Sequence, residues 1–151
     1  MTAPAIDRSV LIIRALLVDD MDTLRPLHAG LDGDDSRVFA ALLAAVFFKA
    51  ANDKFGKDYT AADVIEFVAE ARAQYVGPEI VSAEDAEHAI RAALGEEDLT
   101  SNMSAYARGQ AQTAMLVAIV RDAGLSADQI DVLLDAAAKR VRSFFERQGR
   151  R

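Results

Sequence analysis

The apolar residues of this chain centre on one long, uninterrupted run. Residues 38–48 are all apolar and stand between Arg37 and Lys49. A helix that spans a bilayer needs about 20 apolar residues and a buried strand takes about 4–8, so the run suits neither. Its Ala, Leu and Phe residues favour a helix, and a helix that is apolar on all sides is one surrounded by other helices. The run therefore predicts a buried central helix over 36–55.

The packing and the ends of this central helix also follow from its residues. We expect Leu43 and Phe47 to be almost fully buried, and we expect small residues to let neighbouring backbones come close. These small residues are Ala40, Ala44 and Ala51. Gly56 should end the helix, since glycine readily adopts the left-handed conformation. The residues expected to cap its start are Asp34, Asp35 or Ser36.

Five further helices are indicated by apolar spacing and by capping residues. The first is predicted over 6–24 and should stop or kink near Arg25, because Pro26 lacks the N–H that would bond to Asp22. A loop is predicted at 27–35. Gly77-Pro78 should end the third helix. The caps predicted for the later helices are Thr60, Ser82, one of Thr100, Ser101 and Ser104, and Ser126.

Short connections between these helices predict αα-hairpins. The chain is therefore predicted to be all-α, a single domain over 1–151 with about six helices packed around the central helix 36–55. A mostly apolar helix, a glycine, a cap and an amphipathic helix occur at 38–75 and again at 105–145. Duplication and independent origin both account for this similarity.

The charge of the chain is uneven along its length. Its 151 residues include 24 acidic and 17 basic side chains, a net charge of −7. The C-terminal tail 139–151, which should continue the last helix, has six basic residues and one acidic residue, a net charge of +5. The remainder therefore carries −12. This balance makes nucleic acid an improbable partner, and it allows the tail of one copy to attract the acidic body of another.

The absence of cysteine excludes disulfides, thiolate nucleophiles and cysteine-ligated metals. The first residues show no signal-peptide pattern and no segment reaches transmembrane length, so we expect no membrane association and a cytoplasmic location. Alanine-rich helices with Asp, Glu and Arg on their surfaces favour a bacterial origin. We expect no cofactor and no metal.

Candidate chemistry is sparse. Asp85 and His88 share a helical face, but a di-iron site needs a second such pair and none exists. The acids at 32–35 resemble a calcium loop only in part, because Ser36 and Leu43 stand where ligands are required. Helical ribonucleases with an Arg-x(4–6)-His site are also excluded at His28, because Arg25 precedes it too closely. Nucleotide-binding and serine-hydrolase motifs are also absent, so we assign no catalytic residue.

Two surfaces remain as candidates for binding. The polar half of the fifth helix could face a crevice, and its possible pocket residues are Tyr106, Arg108 and Gln112. Apolar surface that one copy cannot cover could form an interface. Its expected residues are Leu11, Leu16, Val18, Val141, Phe144 and Phe145.

From these surfaces we expect a non-catalytic protein-interaction or regulatory module that self-associates, most simply as a homodimer. A bundle or enzyme that binds a small molecule near 104–123 is the alternative. A nucleic-acid-associated regulator that uses the basic tail is a second alternative.

Overall fold

The computed structural model describes residues 2–29, 33–77 and 79–149. This part of the chain forms seven α-helices and one short 3-10 helix, and it contains no β-strand. The α-helices are α1 (Thr2–Leu17), α2 (Met21–Ala29), α3 (Gly33–Phe55), α4 (Ala61–Gln74), α5 (Ala83–Ala93), α6 (Ala105–Ala123) and α7 (Ala127–Gly149). The all-α prediction is confirmed. None of these helices combines the length and the apolar character that crossing a bilayer requires.

The chain divides into two compact units. The first unit comprises Met1–Val46 and Leu125–Arg151, and the second comprises Phe47–Gly124. In the first unit α1 contacts α2 and α7. In the second unit α5 contacts α4, α6 and the 3-10 helix at Glu97–Thr100. Helix α3 starts in the first unit and ends in the second. Whether the two units fold as the single domain expected from the sequence stays a prediction.

The predicted first helix 6–24 is two helices in the structure. Helix α1 ends at Leu17, Asp19 adopts a left-handed φ of 60°, and α2 begins at Met21. The side chain of Asp20 then caps α2, because its carboxylate accepts hydrogen bonds from the Thr23 hydroxyl at 2.7 Å and the Thr23 amide at 3.2 Å. These bonds lower the pKa of Asp20, the hydroxyl contributing most. A local aspartate cap therefore interrupts an apolar pattern that continues across it.

Pro26 lies inside α2, so the helix does not stop near Arg25, whereas a kink at that point stays a prediction. Proline removes one backbone hydrogen bond, the one to the carbonyl of Asp22. Asp22 and Pro26 are both exposed, so water can hydrate that carbonyl and the helix continues to Ala29. The predicted loop at 27–35 therefore begins inside a helix. Its residues 30–32, like Pro78 and the last two arginines of the tail, lie outside the described residues.

Helix α3 confirms the predicted central helix and corrects part of its surroundings. Leu43 and Phe47 are 3% and 1% exposed, and Gly56, with φ of 72°, ends the helix as expected. Helix α3 begins at Gly33, so the residues expected to cap it, Asp34, Asp35 and Ser36, lie within the helix.

One face of α3 is open to solvent. Ala40 and Ala44 are exposed, and Phe48 keeps 41% of its surface exposed. The expectation that other helices surround α3 was therefore wrong for this face. An apolar residue composition does not reveal which face is uncovered.

The predicted helix caps are confirmed in both units. The side-chain oxygens of Thr60, Ser82, Ser104 and Ser126 each accept a hydrogen bond from the backbone amide three residues later. At Thr60 and Ser126 the bond is reciprocal, because the side chain of the third residue accepts from the cap's own amide. These caps satisfy N–H groups that have no partner within the first turn of a helix.

Candidate functional site

A groove in the first unit is the candidate functional site. Its volume is about 320 Å³. It is lined by Ala41 and Ala45 of α3 and by Arg140, Val141, Phe144 and Arg147 of α7. The two alanines stand one helical turn apart and their small side chains leave space that larger residues would fill. Val141 is 4% exposed and closes the bottom of the groove.

The apolar stripe of α7 explains why Phe144 stands at the edge of this groove. The stripe is buried from Ile130 to Val141, but Phe144 keeps 46% of its surface exposed. The rings of Phe144 and Phe145 pack edge to face, with centroids 5.4 Å apart. The stripe thus extends past the point where the first unit covers it, and an aromatic ring remains at the surface.

Two arginines frame this ring. Arg140 precedes Phe144 by one turn and Arg147 follows it by almost one turn, so the guanidinium-bearing residues lie about 10 Å apart along α7. On another face of α7, Arg142 donates a hydrogen bond to Asp7 of α1 at 3.1 Å. The groove can therefore receive an apolar side chain that is flanked by anionic groups.

The structure places the predicted interface residues in different environments. Val141 and Phe144 meet at the groove, and Phe145 packs on Phe144. On α1, Leu11 is 50% exposed and Leu16 is half-buried. Val18, in the turn after α1, is also half-buried. That these residues form an interface stays a prediction. Sequence reasoning missed Ala41 and Ala45, because a run of alanines gives no signal for the one that faces a groove.

The predicted pocket residues on α6 make local contacts. Tyr106 is 77% exposed and its hydroxyl accepts a hydrogen bond from Gln110 at 3.1 Å. Arg108 donates to the carbonyl oxygen of Thr100 at 3.2 Å, and Gln112 is half-buried. Tyr106 is therefore bonded within α6, whereas Arg108 is bonded to the 3-10 helix that precedes it. A pocket at Tyr106, Arg108 and Gln112 stays a prediction.

The second unit contains a cluster of polar side chains formed by Tyr59, Arg91 and Glu96. Arg91 Nε and Nη2 donate to the two carboxylate oxygens of Glu96 at 2.9 and 2.7 Å. The Tyr59 hydroxyl donates to Glu96 Oε2 at 2.6 Å. These bonds, that of Arg91 first, lower the pKa of Glu96 from its usual 4.5 to about 2.

This cluster stabilises structure and is poorly suited to acid-base chemistry. A carboxylate with so low a pKa is ionised at neutral pH and has no proton to donate. The hydrogen bond to Glu96 raises the pKa of Tyr59, so the phenol is also a poor proton source. The Glu96 amide donates to the Arg91 carbonyl at 3.0 Å, which ties the cluster to the end of α5.

A second polar cluster lies on α3, α4 and α6. Lys54 Nζ is 3.0 Å from Asp122 Oδ2 and 4.6 Å from the centre of the Phe67 ring. Tyr75 donates to Asp122 at 3.4 Å, and burial is the main cause that raises the pKa of Tyr75. A lysine held by a carboxylate and an aromatic face is a stabilising arrangement, and neither group is placed as a nucleophile.

Histidine and acidic side chains are the potential metal ligands of this chain. His88 is half-buried on α5, whereas the side chain of His28 lies outside what the structure describes. Across the described ranges, no three histidine or acidic side chains lie close enough together to hold a metal ion.

Comparison with protein-family models, with curated proteins and with solved structures gives no match for this chain. The indications of function therefore lie in the chain's own surfaces. Of these, the groove beside Phe144 combines concavity, exposed aromatic surface and charge.

Proposed function

We propose that this protein is a non-catalytic interaction module of the cytoplasm that self-associates through the groove of the first unit. The observation that supports this most directly is the exposure of Phe144, 46%, between Arg140 and Arg147 at the edge of that groove. An aromatic ring with arginines beside it is typical of the centre of a protein interface.

The apolar contribution of this site can be estimated. Covering the exposed part of Phe144 would contribute about 2–3 kcal/mol at about 25 cal/mol per Å². A stable interface buries about 1,200–2,000 Å², so Phe144 serves as an anchor within a larger contact. The aliphatic parts of the arginine side chains can add to the buried area.

The form of the groove favours a protein partner over a small molecule. Its volume of about 320 Å³ is at the low end of the range for ligand pockets, about 300–1,000 Å³. Two helices form its walls, and such a surface suits side chains that project from a partner helix. Nucleic acid is disfavoured, because the net charge of −7 opposes binding to phosphates.

Light scattering of the full chain at micromolar concentrations tests this proposal. We expect a dimer for the wild-type protein and a monomer for Phe144→Asp, because a carboxylate would be buried in the contact. Val132→Asp is the matched control, since Val132 is 69% exposed on the same helix but does not line the groove. It should remain dimeric. A monomeric wild-type protein at both low and moderate salt would contradict the proposal.

A dimer that persists in Phe144→Asp but is lost in Leu11→Asp would move the contact to α1. Circular dichroism of each variant should match that of the wild type, so that a change of mass reports association and not unfolding.

A further inference from the structure

We infer that the groove of one copy receives the outer face of α4 from a second copy, with arginines of α7 against acids of α4. This inference rests on the proposed self-association and names the surface that occupies the groove. It also specifies which residues of the second copy face Phe144.

The outer face of α4 has a layered arrangement of side chains. Its buried side comprises Val64, Phe67, Val68 and Ala71. The opposite side has Ile65, which is 52% exposed, at one edge and the exposed acids Glu66 and Glu70 at the other. Between these edges lie exposed residues with small side chains, namely Ala62, Ala69 and Ala73. Around α4 the order is therefore acid, alanine, isoleucine.

The groove presents the complementary order around α7. The arginines are outermost, Phe144 comes next, and Val141 lies deepest beside the small residues of α3. When α4 is laid on this surface, its acids face the arginines and its alanines allow close approach to the Phe144 ring. Ile65 then projects into the space beside Ala41 and Ala45. Apolar surface meets apolar surface, and opposite charges meet at the edge.

The spacing of the charges agrees with this arrangement. Arg140 and Arg147 are seven residues apart, and so are Asp63 and Glu70, which places each pair about 10 Å apart on its helix. One oxygen of Asp63 also accepts the Thr60 amide in the capping box. Glu66 lies between the two acids. An interface with such complementary potentials gains specificity and a faster association rate.

The N-terminal half of α7 is the competing acidic face. There Val132 is 69% exposed, and Asp128 and Asp135 are also seven residues apart. However, Arg14 of α1 lies at this face and forms an ion pair with Asp131 at 2.7 Å. This pair reduces the negative potential of the face. This face also has no row of exposed alanines to accommodate the Phe144 ring. We therefore favour α4.

Charge exchange in the full chain tests the inference. Arg147→Glu alone and Glu70→Arg alone should each raise the dimer dissociation constant about tenfold or more, because each opposes two like charges. The double variant Arg147→Glu/Glu70→Arg should return to within about threefold of the wild type, since the pair is restored with its signs exchanged. Sedimentation equilibrium over a concentration series gives these constants.

Controls with the same change of charge lie outside the proposed contact. Lys139→Glu on α7 and Glu84→Arg on α5 are both at exposed positions and should leave the constant within about threefold of the wild type. Rescue in the double variant, with these controls unchanged, supports the inference.

Two results would overturn the inference. One is a dimer that depends on Phe144 but is indifferent to Glu70→Arg, which would leave the proposed self-association intact with a different occupant. The other is a dimer weakened by Val132→Asp as strongly as by Phe144→Asp, which would identify the acidic half of α7 as that occupant. A monomeric wild-type protein would instead remove the proposed function itself.

Discussion

The Glu96 cluster of the second unit and the Arg142–Asp7 pair of the first unit hold their charges differently. In the second unit, Glu96 accepts three hydrogen bonds from Arg91 and Tyr59, and this cluster fixes the end of α5. In the first unit, Arg142 and Asp7 form an ion pair at 3.1 Å whose side chains are 44% and 69% exposed. Solvent screens exposed ion pairs strongly. The Glu96 cluster should therefore stabilise the second unit more than the Arg142–Asp7 pair stabilises the first unit.

This difference bears on where a binding surface can form. Side chains that are fixed by several internal hydrogen bonds have little capacity left for a partner. The exposed end of α7 keeps Phe144 at the surface next to arginines, and the groove lies there. The Glu96 cluster thus holds parts of the second unit together, whereas the end of α7 in the first unit keeps an aromatic ring exposed at the groove.

The largest expected effects on stability come from two core residues of α3, one on each side of the boundary between the two units. Leu43 belongs to the first unit and Phe47 to the second, and they are 3% and 1% exposed. Leu43→Ala should cost about 2–5 kcal/mol and Phe47→Ala about 3–5 kcal/mol of unfolding free energy, because each leaves a cavity. Denaturant unfolding measures both.

The same pair of variants tests whether the units unfold together. If the chain is a single cooperative domain, each variant should lower one common transition. Two calorimetric transitions, of which each variant shifts only one, would contradict the single-domain prediction. Phe48→Ala is the control, since Phe48 is 41% exposed and should cost less than either core variant.

A smaller, pH-dependent effect is expected for Glu96→Gln. The folded pKa of Glu96 is about 2 against a usual 4.5, so its ionised form stabilises the fold above pH 4.5. This contribution is lost as the pH falls from 4.5 towards 2. The variant should therefore melt below the wild type at pH 7, and the difference should shrink to nothing near pH 2.

Thermal melts across this pH range measure that effect. Glu97→Gln is the neighbouring control, because Glu97 is exposed in the 3-10 helix. A constant difference between wild type and Glu96→Gln from pH 7 to pH 2 would show that the ionised carboxylate is not the cause.

The smallest effect is expected for Asp7→Asn. It removes the exposed pair with Arg142 and should change the unfolding free energy by less than about 1 kcal/mol. The change should diminish further in high salt, since ions screen exposed charges. A loss of several kcal/mol would show that the first unit relies on its ion pairs as much as the second, and would remove the contrast between the units.

Much of the fold was predictable because its determinants are local. The caps at Thr60, Ser82, Ser104 and Ser126 act on amides only three residues away, and short-range geometry decides them. Gly56 and Gly124 end α3 and α6 with left-handed φ values of 72° and 63°, as their position after an apolar segment predicts. Helix class and most helix ends therefore followed from neighbouring residues.

The errors arose where local signals competed. Asp20 caps a new helix although the apolar spacing continues across it, so 6–24 was taken as one helix. Pro26 was expected to stop or kink the helix, but at an exposed position it interrupts one hydrogen bond without ending α2. In both places the local residue pattern is compatible with more than one outcome.

The sequence by itself determined that this protein is all-α, where most helices begin and end, and that its charge is acidic with a basic tail. Only the tertiary structure decided which apolar faces are covered. It left part of α3 and Phe144 exposed, grouped Ala41, Ala45 and Val141 into a groove, and joined Glu96 to Arg91 and Tyr59. The reason is physical: capping depends on residues a turn apart, whereas burial depends on helices that are distant in the chain.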